Sequence, residues 1–230
     1  MTSHVLHRRL TGAALPQAVS AKGMVITDYA GRQYIDASGG AAVSCLGHGH
    51  PRVVDAIRQQ AETLAYAHNG FFTSQAAEEL ADVLVGHAPG GLASACFVSG
   101  GSEATETALQ LARQYYLEIG EPDRVHFIAR RQSYHGNTFG ALALSGNPGR
   151  RAPYAPMLPT GFSHVSAADP VHGRLAGETD DGMATRLAAE LEAELSQLAR
   201  PEPVPDLSDA TVAPATTESD NSEEEETNDE

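Results

Sequence analysis

The stretch Phe97-Val-Ser-Gly-Gly-Ser-Glu-Ala-Thr-Glu106 is the richest in chemistry. A short apolar run, Ala95 to Val98, reads as a buried strand. Glycines then turn the chain, and a helix is expected from about Ser102. The first N–H groups of such a helix have no internal partners and face the turn. The helix dipole adds positive potential there, worth roughly 0.3–1 kcal/mol to an anion at an exposed site. Strand, glycine turn and helix start together make a phosphate cradle. Gly100 shapes the turn, Gly101 lets the backbone approach closely, and Ser102 offers a hydroxyl. By itself the stretch is equally a glycine-rich turn with a serine cap. Two other phosphate motifs do not apply: there is no GxGxxG, and a Walker loop needs a Gly-Lys pair, whereas Lys22 is the only lysine.

A second stretch, Ser133-Tyr-His-Gly136, follows an apolar run at 125–129. It is expected at the carboxyl end of a parallel strand, where ligands of α/β sheets gather. Tyr134 offers a flat face to a heteroaromatic ring, His135 a hydrogen bond to a ring substituent, and Gly136 room for the ring. Alone it is also ordinary loop material. A third stretch, Gly39 to Pro51, holds His48 and His50 two residues apart. No cysteine or carboxylate stands at ligand spacing, so a metal is not expected.

The elements that must hold these residues can be read from periodicity and turns. Residues 22–37 predict a hairpin around Asp28–Gly31. Pro51 suits a first helical turn, and Val54, Ile57, Ala61 and Leu64 recur behind it. A helix is expected over 74–87, with Ala77, Leu80, Val83 and Leu84 on one face. The helix after Ser102 has Ala104, Ala108, Leu111, Ala112, Tyr115 and Ile119 as its expected inner face. Strands are expected at 125–129 and 162–165, a glycine- and proline-rich loop over 145–161, and a helix over 183–198 with the stripe Met183, Leu187, Leu191, Leu195 and Leu198. Strand, helix, strand in this order predicts an α/β fold with a mostly parallel sheet.

Charge is uneven along the chain. Residues 1–170 carry 12 basic and 13 acidic residues, whereas 201–230 carry 11 acidic and no basic ones. The net charge of −15 therefore belongs mostly to the tail, and no basic face for nucleic acid is evident. The tail also has too few large apolar side chains to offset the entropy of ordering it, so disorder is expected over 200–230. No run approaches the roughly 18 apolar residues of a membrane span. Cys45 and Cys96 each sit in an apolar stretch and are expected as reduced, buried thiols, which fits a cytoplasmic protein. The opening residues lack the apolar core of a secretory signal. They contain Arg8 and Arg9 and no acid before Asp28, so a mitochondrial location is the less favoured alternative.

Taken in order, these stretches resemble one family, the class III (omega-type) pyridoxal-phosphate (PLP) aminotransferases. The resemblance rests on Tyr34-Ile35-Asp36, Gly39 to Val43, Leu46 to Pro51, Phe97 to Glu106 and Tyr134 to Gly136. Val5 to Leu10 also resembles the family's opening. The resemblance is firm over about 4–170 and thins toward 199. It implies the large domain of the fold type I transferases, present in part. The expected division is an N-terminal segment with hairpin (1–48), an incomplete PLP-binding large domain (49–199) and the acidic tail (200–230). It further implies that Gly101 and Ser102 bind the cofactor phosphate, that Tyr134 stacks on its ring, and that His135 and Gly136 line the pocket. The family's later motifs do not occur: a strand ending in Glu-Pro, a strand carrying Asp-Glu-Val, and the Schiff-base lysine. Lys22 precedes the hairpin and is not that lysine, so no catalytic residue is assigned. The expectation is a truncated, inactive member that moves amino groups between an amine or amino acid and a keto acid in its complete form. The alternative is a non-catalytic protein that binds PLP or acts as a binding or regulatory partner of a full-length relative; the resemblance also implies a homodimer, as in the family.

Overall fold

The computed structural model describes residues 15–199. The residues at 1–14, including the stretch Val5 to Leu10, and the acidic tail at 200–230 lie outside the described residues. The chain divides into two compact units, Met1–Ala95 and Cys96–Glu230. The boundary expected at 48 falls inside the first.

The first unit opens with an antiparallel meander, β1 (Ala18–Lys22), β2 (Val25–Asp28) and β3 (Gln33–Ile35). The expected hairpin is β2–β3, and β1 adds a third strand. Asp28 sets the hairpin turn. Its carboxylate accepts the N–H groups of Ala30 and Arg32, Arg32 Nε and the Tyr34 hydroxyl, at 2.8–3.0 Å. Burial pushes this carboxyl up, but the bonds from Arg32 and Tyr34 outweigh it and hold it below its ordinary value.

Asp36, just past β3, organises the next turn. It accepts from Gly39 N at 3.0 Å, Ser44 Oγ at 2.8 Å and His48 Nε2 at 2.8 Å. The bond from Ser44, then those from His48 and Gly39, lower its pKa from 3.8 to about 2. A lowered folded-state pKa gives stability that is present above the unfolded value and lost as pH falls through the folded one. Acid titration should therefore weaken this unit between pH 3.8 and about 2, and Asp36→Asn should flatten that limb of the stability curve.

Between Asp36 and His48 a single turn, α1 (Gly39–Ala42), runs left-handed, with φ of 60°, 58°, 57° and 72°. Glycine tolerates this, but alanine is strained by roughly 1–2 kcal/mol per residue. Ala41→Gly should consequently stabilise the unit by about 1 kcal/mol, reversing the usual cost of glycine in a helix. Chemical denaturation of the two proteins measures it.

Two helices complete the unit. In α2 (Pro51–Thr63) proline takes the first turn, and in α3 (Gln75–His87) Ser74 caps by accepting from Ala77 N. Both helices form where they were expected, but neither has a buried residue: the stripe of α2 is exposed throughout, and in α3 Ala77, Ala81 and Val85 are part-covered while Leu80, Val83 and Leu84 are exposed.

The second unit holds a parallel pair, β4 (Phe127–Arg130) and β5 (Phe162–Val165), in register from Phe127↔Phe162 to Arg130↔Val165. The Phe127 and Phe162 rings stack 5.6 Å apart. The core forms on α5 (Phe139–Leu144), where Ala141, Leu142 and Ala143 are buried beside Ala129 and Val165. The chain then runs through α6 (Pro148–Arg151) and a 3-10 turn (Ala152–Met157), where an irregular loop was expected. Helix α7 (Asp180–Leu198) is capped by Thr179 and buries Met183. Its stripe opens toward the far end, where Leu195 is half exposed. Glu178 clamps the preceding loop, accepting Arg186 Nε and NH2 at 2.8 Å and Leu175 N at 3.0 Å.

Three expectations are corrected. Residues 95–98 form no strand, and Phe97 and Val98 are exposed; no neighbouring strand among the described residues offers the N–H and C=O groups a ladder needs. Cys45 and Cys96 are exposed for a related reason: one lies on the turn after α1, the other on this unpaired segment. Helix α4 (Gly101–Glu118) turns a different face inward. Leu111, Tyr115 and Ile119 are exposed, while Ser102, Thr105, Glu106, Leu109, Ala112, Arg113 and Tyr116 are part-covered. Hydrogen bonds to the chain before and within α5 select that face over the more apolar one.

Candidate functional site

The site lies within the second unit, where the segment between β4 and α5 is strapped across the first two turns of α4. Gly100 precedes that helix in extended backbone and has no side chain to cap it. The Glu103 carboxylate reaches back to Ser99 N at 2.8 Å, closing the turn from the outside. A Cβ at Gly100 or Gly101 would meet nothing within 4 Å, so the space over the turn is open. Open space beside uncapped first-turn N–H groups fits a phosphate.

The Ser102 hydroxyl is engaged differently from its expected use. It donates to Asn137 Oδ1 at 2.9 Å and accepts Asn137 N at 3.0 Å. The Ser102 side chain ties down the strap, while its backbone N–H lies in the first turn of α4, where N–H groups have no partner within the helix. One turn on, Thr105 Oγ1 donates to the His135 carbonyl at 2.7 Å. Glu106 Oε1 accepts Thr138 Oγ1 at 2.5 Å and Ala141 N at 3.0 Å. From the other side, the buried Ser145 hydroxyl accepts His135 N at 2.8 Å and donates to the Ala141 carbonyl at 2.8 Å.

Two glycines are required by close approach. Gly136 is buried with φ of 141°, and a Cβ there would stand 2.6 Å from Ser102 Oγ and 3.0 Å from Ser102 Cα. At Gly146, where the chain leaves α5, a Cβ would lie 2.0 Å from the Arg130 carbonyl oxygen.

The Tyr134 ring is 59% exposed, with the Arg150 guanidinium 4.9 Å from its centroid. A cation on one side of an aromatic ring is attracted by its quadrupole and holds the ring in place. His135 is half-buried and contributes to the architecture through both backbone groups.

The structure thus brings Ser102 against Gly136 and Asn137, and Thr105 against His135, although some 30 residues separate them; Tyr134 follows in the same strap, with Arg150 over its ring. The Gly39–Pro51 stretch and Lys22 belong to the other unit. Sequence reasoning missed Thr105, Glu106, Asn137 and Ser145. A signal existed for two of them: Ser102, Thr105 and Glu106 fall at helical spacing on one face, a polar stripe beginning inside the cradle motif.

Comparison with known proteins agrees with this architecture. The family model for class III aminotransferases matches residues 11–200. The chain is 42% identical over 202 residues to an uncharacterized aminotransferase of Schizosaccharomyces pombe, covering 88% of this chain and 44% of that protein. It is 38% identical over 151 residues to an acetylornithine aminotransferase of Mycolicibacterium smegmatis, covering 66% of this chain and 36% of the relative. A crystal structure of the omega transaminase from Pseudomonas jessenii in complex with PMP superposes with a TM-score of 0.79 at 28% identity, over 86% of this chain and 44% of that one. The α/β unit has the fold of the fold type I transferases. This chain belongs to the class III aminotransferases, and it spans less than half the length of these relatives.

Proposed function

We propose that this chain supplies the phosphate-and-ring side of a PLP site, in an aminotransferase that moves amino groups between an amine or amino acid and a keto acid. The observation carrying this reading is the direct joining of the α4 cradle to the Tyr134–Gly136 strap through Ser102, Asn137, Thr105 and His135. Gly101 and Ser102 would hold the phosphate by their N–H groups, Gly100 leaves room for it, and Tyr134 would lie against the ring with Arg150 behind. PLP, when bound, supplies an electron sink for amino-group transfer. The residues described hold and orient it, and Gly136 and His135 fix the strap at the height of the turn.

The proton-moving lysine of the reaction is not among these residues, because Lys22 is the chain's only lysine. The second reading is a non-catalytic partner that retains the cofactor frame and pairs with a full-length relative. It is favoured by the exposed apolar stripe Leu111, Tyr115 and Ile119 on α4.

Titration of the purified chain with PLP, followed by absorbance, tests the cofactor reading. Tyr134→Ala should weaken binding by several-fold, since an aromatic pair contributes about 0.5–1.5 kcal/mol. Binding that is insensitive to Tyr134 would contradict the assigned stacking.

A further inference from the structure

The cap of α5 comes from another helix. Thr138, at its N-cap position, makes no side-chain capping bond, although a helix start leaves N–H groups without internal partners. Glu106, from α4, fills the gap: it takes Ala141 N directly and holds the Thr138 hydroxyl. Gly140 makes room for it, because a Cβ there would stand 2.4 Å from Glu106 Oε2. At the far end of α5, Ser145 passes the constraint on by binding both the Ala141 carbonyl and His135 N. The carboxylate of Glu106 therefore sits at the head of a chain of bonds that ends on the residue beside Tyr134.

We propose that Glu106 is a positioning residue of the cofactor site, fixing the Tyr134–Gly136 strap at the height above α4 that lets one ligand meet cradle and ring together. This rests on the PLP reading above. It separates two ligands: inorganic phosphate needs only the cradle, whereas PLP needs cradle and strap in register.

The test uses the 230-residue chain with Glu106→Ala and Glu106→Gln, the latter keeping a carbonyl oxygen for Ala141 N. Glu106→Ala should weaken PLP by roughly threefold to fivefold, no more than loss of the Tyr134 ring itself. Inorganic phosphate should stay within about twofold, and Glu106→Gln should restore most of the PLP affinity. A role in folding alone would move both ligands together. Parallel loss of PLP and phosphate, or an alanine variant that binds PLP like the parent, would overturn the proposal. If the parent chain takes up neither ligand, the PLP reading fails, and amide exchange then decides on Glu106. Faster exchange at His135 and Ala141 in Glu106→Ala, with α7 unchanged, upholds the clamp, and unchanged exchange rejects it.

Discussion

The purified 230-residue chain, supplied with PLP, an amine donor and a keto acid, is expected to transfer amino groups no faster than PLP free in solution. Protein acceleration of this chemistry depends on a lysine that anchors the cofactor and shuttles a proton between carbons. Lys22 ends β1 in the first unit, whereas the cradle and strap belong to the second. A cradle that binds the cofactor would supply affinity alone, which binds ground state and transition state alike and leaves turnover unchanged. The comparison is therefore between PLP with protein and PLP without it. Turnover that rises with protein concentration above the PLP-only control would contradict this expectation.

The largest effect on stability is expected at Gly146. A methyl group there would be placed 2.0 Å from the Arg130 carbonyl oxygen, and 2.6 Å from Arg131 Cα. Both are backbone atoms, and neither can rotate away. Overpacking in a close-packed region costs about 1–3 kcal/mol, more where backbone must move. Gly146→Ala should lower the urea midpoint of the chain accordingly, because it pries the exit of α5 from the end of β4. Gly100→Ala is the contrasting variant. Its Cβ would enter open space and its backbone is extended, as any residue can be. It should leave the midpoint within about 0.5 kcal/mol, as substitutions free of new contacts usually do, while its methyl group crowds a phosphate on the turn. Equal midpoints for Gly146→Ala and the parent would mean that α5 does not close against β4 as described.

Much of the frame was legible in the residues. Helices α2 and α3, the turn at Asp28–Gly31 and strand β5 fall where periodicity and turn residues put them, because each is a local pattern. The glycine turn and the start of α4 were legible for the same reason, since glycines before a helix start carry their meaning in a few consecutive residues. What escaped were features decided at a distance. Helix α5 has six residues, buried along Ala141, Leu142 and Ala143, and is too short and too uniformly apolar for a 3.6-residue period to show. The face of α4 was misassigned because apolar spacing favoured Leu111 and Tyr115, whereas Ser102, Thr105 and Glu106 are held by bonds to residues 30 or more positions away. Residues 95–98 have the composition of a buried strand, but a strand exists only beside a partner. The left-handed turn at Gly39–Ala42 could not be anticipated, since alanine rarely adopts positive φ.

The central claim is that the N–H groups opening α4 receive the cofactor phosphate. Titrating the isotope-labelled chain with PLP, and separately with pyridoxal lacking the phosphate, and following the amide resonances of Gly100, Gly101 and Ser102 tests it most directly. Saturable shifts at these three amides with PLP, reproduced weakly by inorganic phosphate and absent with pyridoxal, are the predicted result. Amides that stay unmoved by PLP, or that respond equally to pyridoxal, would contradict the account.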